Sequence, residues 1–262
     1  MFPAQYEDLQ IMSHAVVGFP SLEENEAAIA GLADAGVKLI ELQVPFSDPV
    51  ADGHTLVNAC YEALKHGGSV RATLDLAHKV CARHPQVTFV LMSYLNPLYR
   101  YGLQSLFEAA AAAGIKGMIV PDWPVEEIEP WLPTLDELGL APILMVTPNT
   151  AAARVEKIAR ASRGMIYVVS RMGVTGHETH WGEKFQNYIA DIRRHTDLPL
   201  AVGFGVRTAD QAEAIARAAD AVVVGSALVD AIATAAGNGQ DPVRAGLDMV
   251  SGLAAGVQRA AS

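Results

Sequence analysis

Cysteine is almost missing from this chain: Cys60 and Cys81 are the only two among 262 residues, and they stand in no metal-binding or redox spacing. That excludes a disulfide framework and a thiolate metal site, and it fits a reducing, cytoplasmic setting. Positive charge is also scarce, with 19 Lys and Arg against 29 Asp and Glu for a net −10. A nucleic-acid partner needs clustered positive charge, so that class is excluded. No apolar run approaches the roughly 18 residues needed to span a bilayer, which argues against a membrane span. Met1 to Gln10 carries Glu7 and Asp8 and no basic region followed by an apolar stretch, so it does not read as a signal peptide. Charged residues make up only 18% of the chain while 51% are hydrophobic, enough for a large buried core and too apolar for disorder.

What is present is a repeated alternation. Eight short apolar runs stand at Ala15–Val17, Leu39–Leu42, Phe89–Met92, Gly117–Val120, Ile143–Val146, Met165–Val169, Leu200–Val202 and Ala221–Val224. None alternates with polar residues, as expected of strands covered on both faces of a parallel sheet. Segments of helical period lie between them: Glu23–Ala35, Val70–Arg83, Leu103–Ala113, Val125–Leu138, Ala151–Ala161, Phe185–His195 and Ala209–Ala218. Two more follow the last run, near Ala227–Ala235 and Pro242–Arg259. Glycines and prolines fall at the joints, and no linker interrupts the series. The pattern predicts an α/β fold, a single (β/α)₈ TIM barrel over residues 1–262. A doubly wound open sheet would want a dinucleotide fingerprint after its first strand, and Gly18-Phe19-Pro20-Ser21 is not one.

A barrel keeps its active site at the carboxyl ends of its strands. There the second strand carries Glu41 within an apolar run, followed by a loop with Asp48, Asp52 and His54. Two readings of Glu41 stand: a general acid/base with a raised pKa, or an outward carboxylate meeting a Lys or Arg between helices. The plainer reading of Asp48 and Asp52 is turn formation or helix capping, and three such residues in one loop make a poor case for a metal. Gly203-Phe204-Gly205 after the seventh strand and Gly225-Ser226 after the eighth suit an anion, because glycine admits close backbone approach and a helix amino end attracts negative charge. Ser170 to Gly176 reads as a lid with two glycine hinges. His177-Glu178-Thr179-His180-Trp181 lacks H-E-x-x-H spacing and reads as a solvated loop rather than a metal site. Asp122 and Asn149 complete the rim as residues that cap the helices after them.

Taken together these residues resemble the tryptophan synthase α-subunit family of indole-3-glycerol-phosphate lyases. Glu41 to Gly53 matches its E-L-G-V-P-F-S-D-P-x-A-D-G signature with one change, Gln43. Ser170-Arg171-Met172-Gly173-Val174-Thr175-Gly176, Gly203 to Val206 and Gly225 to Ala227 match its later loops. The resemblance implies retro-aldol cleavage of indole-3-glycerol phosphate to indole and glyceraldehyde 3-phosphate. It implies Glu41 as proton shuttle, with raised pKa, and Asp52 as the ionised partner of the indole N–H, with Tyr167 and Thr175 in support. Leu91, Ile119, Met145, Tyr167 and Val223 would line the ring pocket, and the backbone at Gly176, Gly205, Gly225 and Ser226 would hold the phosphate. No metal or organic cofactor is implied, since the family's pyridoxal phosphate belongs to the partner β subunit.

Two departures fall at ring-facing positions. His14 stands where the family usually has Phe, and Gln43 replaces a glycine. His54 also replaces the usual Pro after Asp52-Gly53. Three functions therefore stand side by side. They are the lyase itself, as an α subunit or alone; a lyase of the same mechanism for a more polar aryl or heteroaryl glycerol phosphate; and a catalytically silent homologue that binds and activates a β-type partner.

Overall fold

The computed structural model describes residues 10–170, 182–203 and 205–261. Its strands are β1 (Gln10–Val16), β2 (Leu39–Gln43), β3 (Thr88–Met92), β4 (Gly117–Ile119), β5 (Ala141–Ile143), β6 (Met145–Val146), β7 (Ile166–Val169), β8 (Leu200–Gly203) and β9 (Ala221–Val224). All the pairings are parallel, and the order runs β5-β4-β3-β2-β1-β9-β8-β7-β6. The sheet thus curls until its two edge strands are consecutive in the chain. The predicted fifth run is divided at Leu144: β5 pairs with β4 and β6 pairs with β7, so this strand changes partner where the barrel comes round. Nine strand segments therefore make the eight-run barrel that the sequence predicts.

Strand alternation divides the apolar residues into two cores. Met12, Leu39, Val90, Met92, Ile119, Ile143, Met165, Tyr167, Ala201 and Val223 share the interior of the barrel. Ile11, Ile40, Phe89, Leu91, Met118, Ile166, Val202 and Val222 face the other way, against the helices. Leu91 is therefore a correction to the expected ring pocket. Met92, one residue on, takes the inward position, because a shift of one residue along a strand exchanges its faces.

The helices follow the predicted segments closely, from Leu22–Asp34, capped by the Ser21 hydroxyl at the Glu24 N–H, to Pro242–Ala261. Two helices were not expected: His54–Lys65 and Leu95–Tyr101. The first buries Leu56, Ala59, Cys60 and Ala63, which are spaced as one helical face. In the second, Pro97 sits in the first turn, where its missing N–H costs little. The single helix expected over Val125–Leu138 is instead Val125–Ile128, a 3₁₀ turn Glu129–Trp131 and Leu132–Leu138, with Pro130 and Pro133 removing backbone donors at the breaks. Among the described residues no helix is long and apolar enough to cross a membrane.

The last helix is seated by a backbone contact. A β-carbon on Gly256 would lie 1.9 Å from the carbonyl oxygen of Ala209, at the start of helix Ala209–Ala216. Alanine gains about 1 kcal/mol of helix propensity over glycine, but overpacking against backbone costs about 1–3 kcal/mol. Gly256→Ala is expected to lower the urea midpoint, with a net loss of up to about 2 kcal/mol. A variant as stable as the parent would show that this helix can move aside freely.

Candidate active site

The parallel register sets His14 of β1 opposite Glu41 of β2, with Val16 opposite Gln43. His14 and Glu41 therefore point into the barrel side by side. The His14 Nδ1 lies 2.8 Å from Glu41 Oε2, and its Nε2 lies 2.7 Å from Gln43 Oε1. The Gln43 amide Nε2 in turn donates to Asp52 Oδ2 at 2.7 Å. One hydrogen-bonded chain thus runs Glu41–His14–Gln43–Asp52. Its polarity is fixed from one end. An ionised carboxylate only accepts, so Gln43 turns its NH₂ to Asp52 and its oxygen to His14, and Nε2 of the imidazole carries a proton.

All four side chains sit where charge is expensive. Glu41 is 2% exposed, His14 5% and Gln43 0%. Burial works against a charged His14, yet the Glu41 carboxylate, by charge and by hydrogen bond, together with Asp52 and Gln43, lifts its pKa above the ordinary imidazole value. Burial raises Asp52, against the expectation that this loop carboxylate ionises readily; His14, Gln43 and Tyr94 pull it back down, and Glu41 pushes it further up. Tyr167 is pushed well above the usual phenol range by burial and by both carboxylates, so it stays a neutral phenol. The second reading of Glu41, as an outward carboxylate between helices, is excluded by its inward position and by its partner.

The Asp52 loop is fixed by a residue the sequence reading did not single out. Tyr94 is fully buried; its hydroxyl accepts the Ala51 N–H at 3.1 Å and bonds the Asp52 carboxylate. The signal was present as a large aromatic two residues beyond the end of a barrel strand. Asp122, expected to cap the helix after it, instead accepts the Leu95 N–H at 2.9 Å and so caps Leu95–Tyr101.

Glu41 and Asp52 open into a cavity whose apolar walls are Leu56, Met92, Ile119, Met145, Tyr167 and Val223. His14 shows part of its ring there, whereas Gln43 lies behind and does not wall the cavity. Gly205, Gly225 and Ser226 line the same cavity, Gly225 close beside His14. Gly225 is the N-cap of helix Ser226–Gly237 and has no side chain to satisfy the first N–H groups. Gly205 has a φ of +93°, a conformation that other residues adopt at a cost. The β-carbon missing from Gly203 would lie 2.6 Å from the Tyr167 hydroxyl, so this glycine makes room for the phenol. Arg207 joins the rim and pairs with Asp230 at 2.9 Å, an addition that the sequence reading did not make. Thr175 and Gly176, with the rest of the expected lid beyond Ser170, lie outside the described residues.

The sequence model of the tryptophan synthase alpha chain family matches residues 5–257. This chain belongs to that family. The tryptophan synthase alpha chain of Thioalkalivibrio sulfidiphilus is 40% identical over 250 residues, covering 95% of this chain and 92% of that protein. The one from Syntrophotalea carbinolica is 40% identical over 220 residues, covering 84% and 87%. Among solved structures, Mycobacterium tuberculosis tryptophan synthase superposes with a TM-score of 0.86 at 34% identity, covering 96% of this chain and 93% of that one. The Legionella pneumophila tryptophan synthase subunit alpha gives 0.90 at 28% identity, covering 97% and 94%. Similarity thus extends over the whole barrel, and the family resemblance seen in the motifs holds for the chain.

The Tyr94 hydroxyl is one of the groups that hold the Asp52 pKa down, so removing it leaves burial less opposed. Tyr94→Phe is expected to raise the pH at which Asp52 ionises, read from its carboxyl carbon shift by NMR, and to cost about 1–2 kcal/mol in urea unfolding. An unchanged Asp52 titration would place Tyr94 in a packing role alone.

Proposed function

We propose that this chain cleaves indole-3-glycerol phosphate to indole and glyceraldehyde 3-phosphate as the α subunit of a tryptophan synthase. The observation that carries this is one cavity lined together by two carboxylates, the bare amino end of a helix and a set of apolar side chains. The ring lies along Met92, Ile119, Met145, Tyr167 and Val223, and the phosphate meets the N–H groups at Gly205, Gly225 and Ser226. On the sequence match alone, Gly176 joins the phosphate site and Thr175 supports Asp52.

Carbon–carbon cleavage begins with a proton placed on indole C3, which gives an indoleninium-like cation. Glu41 supplies that proton and then takes one from the side-chain hydroxyl. As that O–H bond breaks, its electron pair forms the aldehyde carbonyl. The electrons of the broken C–C bond return to the ring and leave neutral indole. Asp52, whose ionised form His14, the Gln43 amide and Tyr94 favour against its burial, faces the ring N–H and stabilises the positive charge. The cycle leaves both carboxylates as they began.

The pairing of His14 and Gln43 also favours indole over a more polar ring. Both imidazole nitrogens and the Gln43 amide are engaged by protein groups, so they do not require a polar ring substituent as partner. A silent scaffold, in turn, has no use for a buried Glu41 beside a half-buried Asp52 held at this cost. The partner in this reading is a β-type subunit, and the rim beside the signature loop offers Val50, 75% exposed, as part of the docking face. Two free cysteines and a biosynthetic family support the cytoplasm as its location.

The test is aldehyde-phosphate release from indole-3-glycerol phosphate with and without a β subunit. Glu41→Gln should keep the fold and lower turnover by at least about 10²; near-parental turnover would remove Glu41 from the chemistry. Ser226→Asp is expected to repel the phosphate and raise KM far more than it disturbs unfolding. Unaltered sulfate protection in that variant would move the anion site elsewhere.

A further inference from the structure

The cleavage asks for a group that is an acid at one moment and a base at the next. A carboxylate alone near neutral pH is almost wholly ionised, since its ordinary pKa lies near 4.3. Glu41 is not alone. Its Oε2 is 2.8 Å from an imidazole that is itself locked in place, with the far nitrogen held by Gln43 at 2.7 Å. We infer that His14 is a positioning residue that keeps Glu41 supplied with its proton: the carboxyl and the imidazole share one proton along the Nδ1–Oε2 contact, and Gln43 fixes the imidazole by its Nε2–H. The inference rests on the cleavage reading and deepens it.

The proton count balances. The pair begins with one shared proton, held as carboxylate and imidazolium or as carboxylic acid and neutral imidazole. That proton passes from Glu41 to C3, leaving carboxylate and neutral imidazole. The substrate hydroxyl then gives its proton back through Glu41, and the pair again holds one. Neither state puts a net charge of more than one on the pair, which suits its burial. The direction of the His14 shift agrees, since the neighbouring carboxylates outweigh burial in holding the imidazole proton.

The polar and charged groups facing the pair are Gln43 on its own strand layer, Asp52 from the loop after β2, Tyr167 from β7, Ser226 from its helix and Arg207 at the rim. Tyr94 reaches it only through Asp52. Tyr167 remains neutral over the working range, and Arg207 is paired with Asp230. The protonation of His14 is thus set chiefly by its burial and by the facing Glu41 and Asp52 carboxylates.

Nitrogen-15 NMR of the imidazole in the intact protein tests the shared proton without any substrate. In the parent, His14 should titrate above about 6.5, and in Glu41→Gln, where burial loses its main opponent, below it. A His14 pKa that ignores Glu41→Gln overturns the inference. The pH profile of cleavage is the second arm. His14→Phe and His14→Asn should both move the basic limb of kcat toward acid by about one unit or more and lower kcat about tenfold or more, with KM within about twofold. His14→Asn retains a hydrogen-bonding side chain, so restoration of the parental profile by Asn shows a purely structural role and overturns the inference. If the parent releases no aldehyde phosphate while His14 titrates as expected, the cleavage reading fails and the shared proton stands.

Discussion

Holding a buried carboxylate, Glu41, and a half-buried one, Asp52, within one barrel mouth is the constraint around which the rest of this structure is arranged. An isolated buried carboxylate costs several kcal/mol, and two facing one another cost more. Here the cost is reduced by a chain of hydrogen bonds that separates the acids, puts an imidazole between them and leaves no end of the chain unmatched. The barrel is what makes that chain reachable. Only strands paired in parallel register bring His14 and Glu41 level. Only an inward-turned loop, fixed by a tyrosine just after the next strand, brings Asp52 back over Gln43.

The same register explains why the interior is divided. One sector, at the carboxyl ends of β1 and β2 and the loop after β2, carries the polar residues His14, Glu41, Gln43 and Asp52, bonded to one another. The remaining sectors, β3 to β9, supply Met, Ile, Tyr and Val side chains. A flat aromatic ring suits that wall, with one edge left to meet the carboxylates. The glycines matter for the same reason: Gly203 yields its volume to the Tyr167 hydroxyl, and Gly225 leaves a helix amino end open to an anion.

Much of this was legible in the sequence, and the misses have physical causes. Strand and helix alternation gave the barrel because apolar runs covered on both faces look alike whichever face is inward. For that reason the sequence did not say which neighbour of a run faces in, and Leu91 was named where Met92 belongs. β1 was seen only at its apolar end, since Ser13 and His14 interrupt the run. His14 and Gln43 were legible as anomalies, polar residues at positions expected to meet a ring. Their solution was not, because a hydrogen bond between residues 29 apart in sequence depends on register, which composition does not encode. The helix His54–Lys65 was missed although its period is plain, because a loop rich in Asp, Pro and Gly drew the reading toward a turn.

The two anomalies are best understood as one. Suppose His14 stood beside Glu41 with glycine at position 43. Its Nε2 proton would then be left without the acceptor that holds it, in a place nearly closed to water. Suppose instead Gln43 stood with phenylalanine at position 14. Its carbonyl oxygen would lose its partner while its NH₂ still held Asp52. Each substitution alone leaves a buried polar group unsatisfied, at about 1–3 kcal/mol, while the two together close the chain. Such residues are coupled energetically and cannot be judged one at a time. What reads along the sequence as two separate losses of apolar contact is, in the barrel, a single polar insertion that joins Glu41 to Asp52.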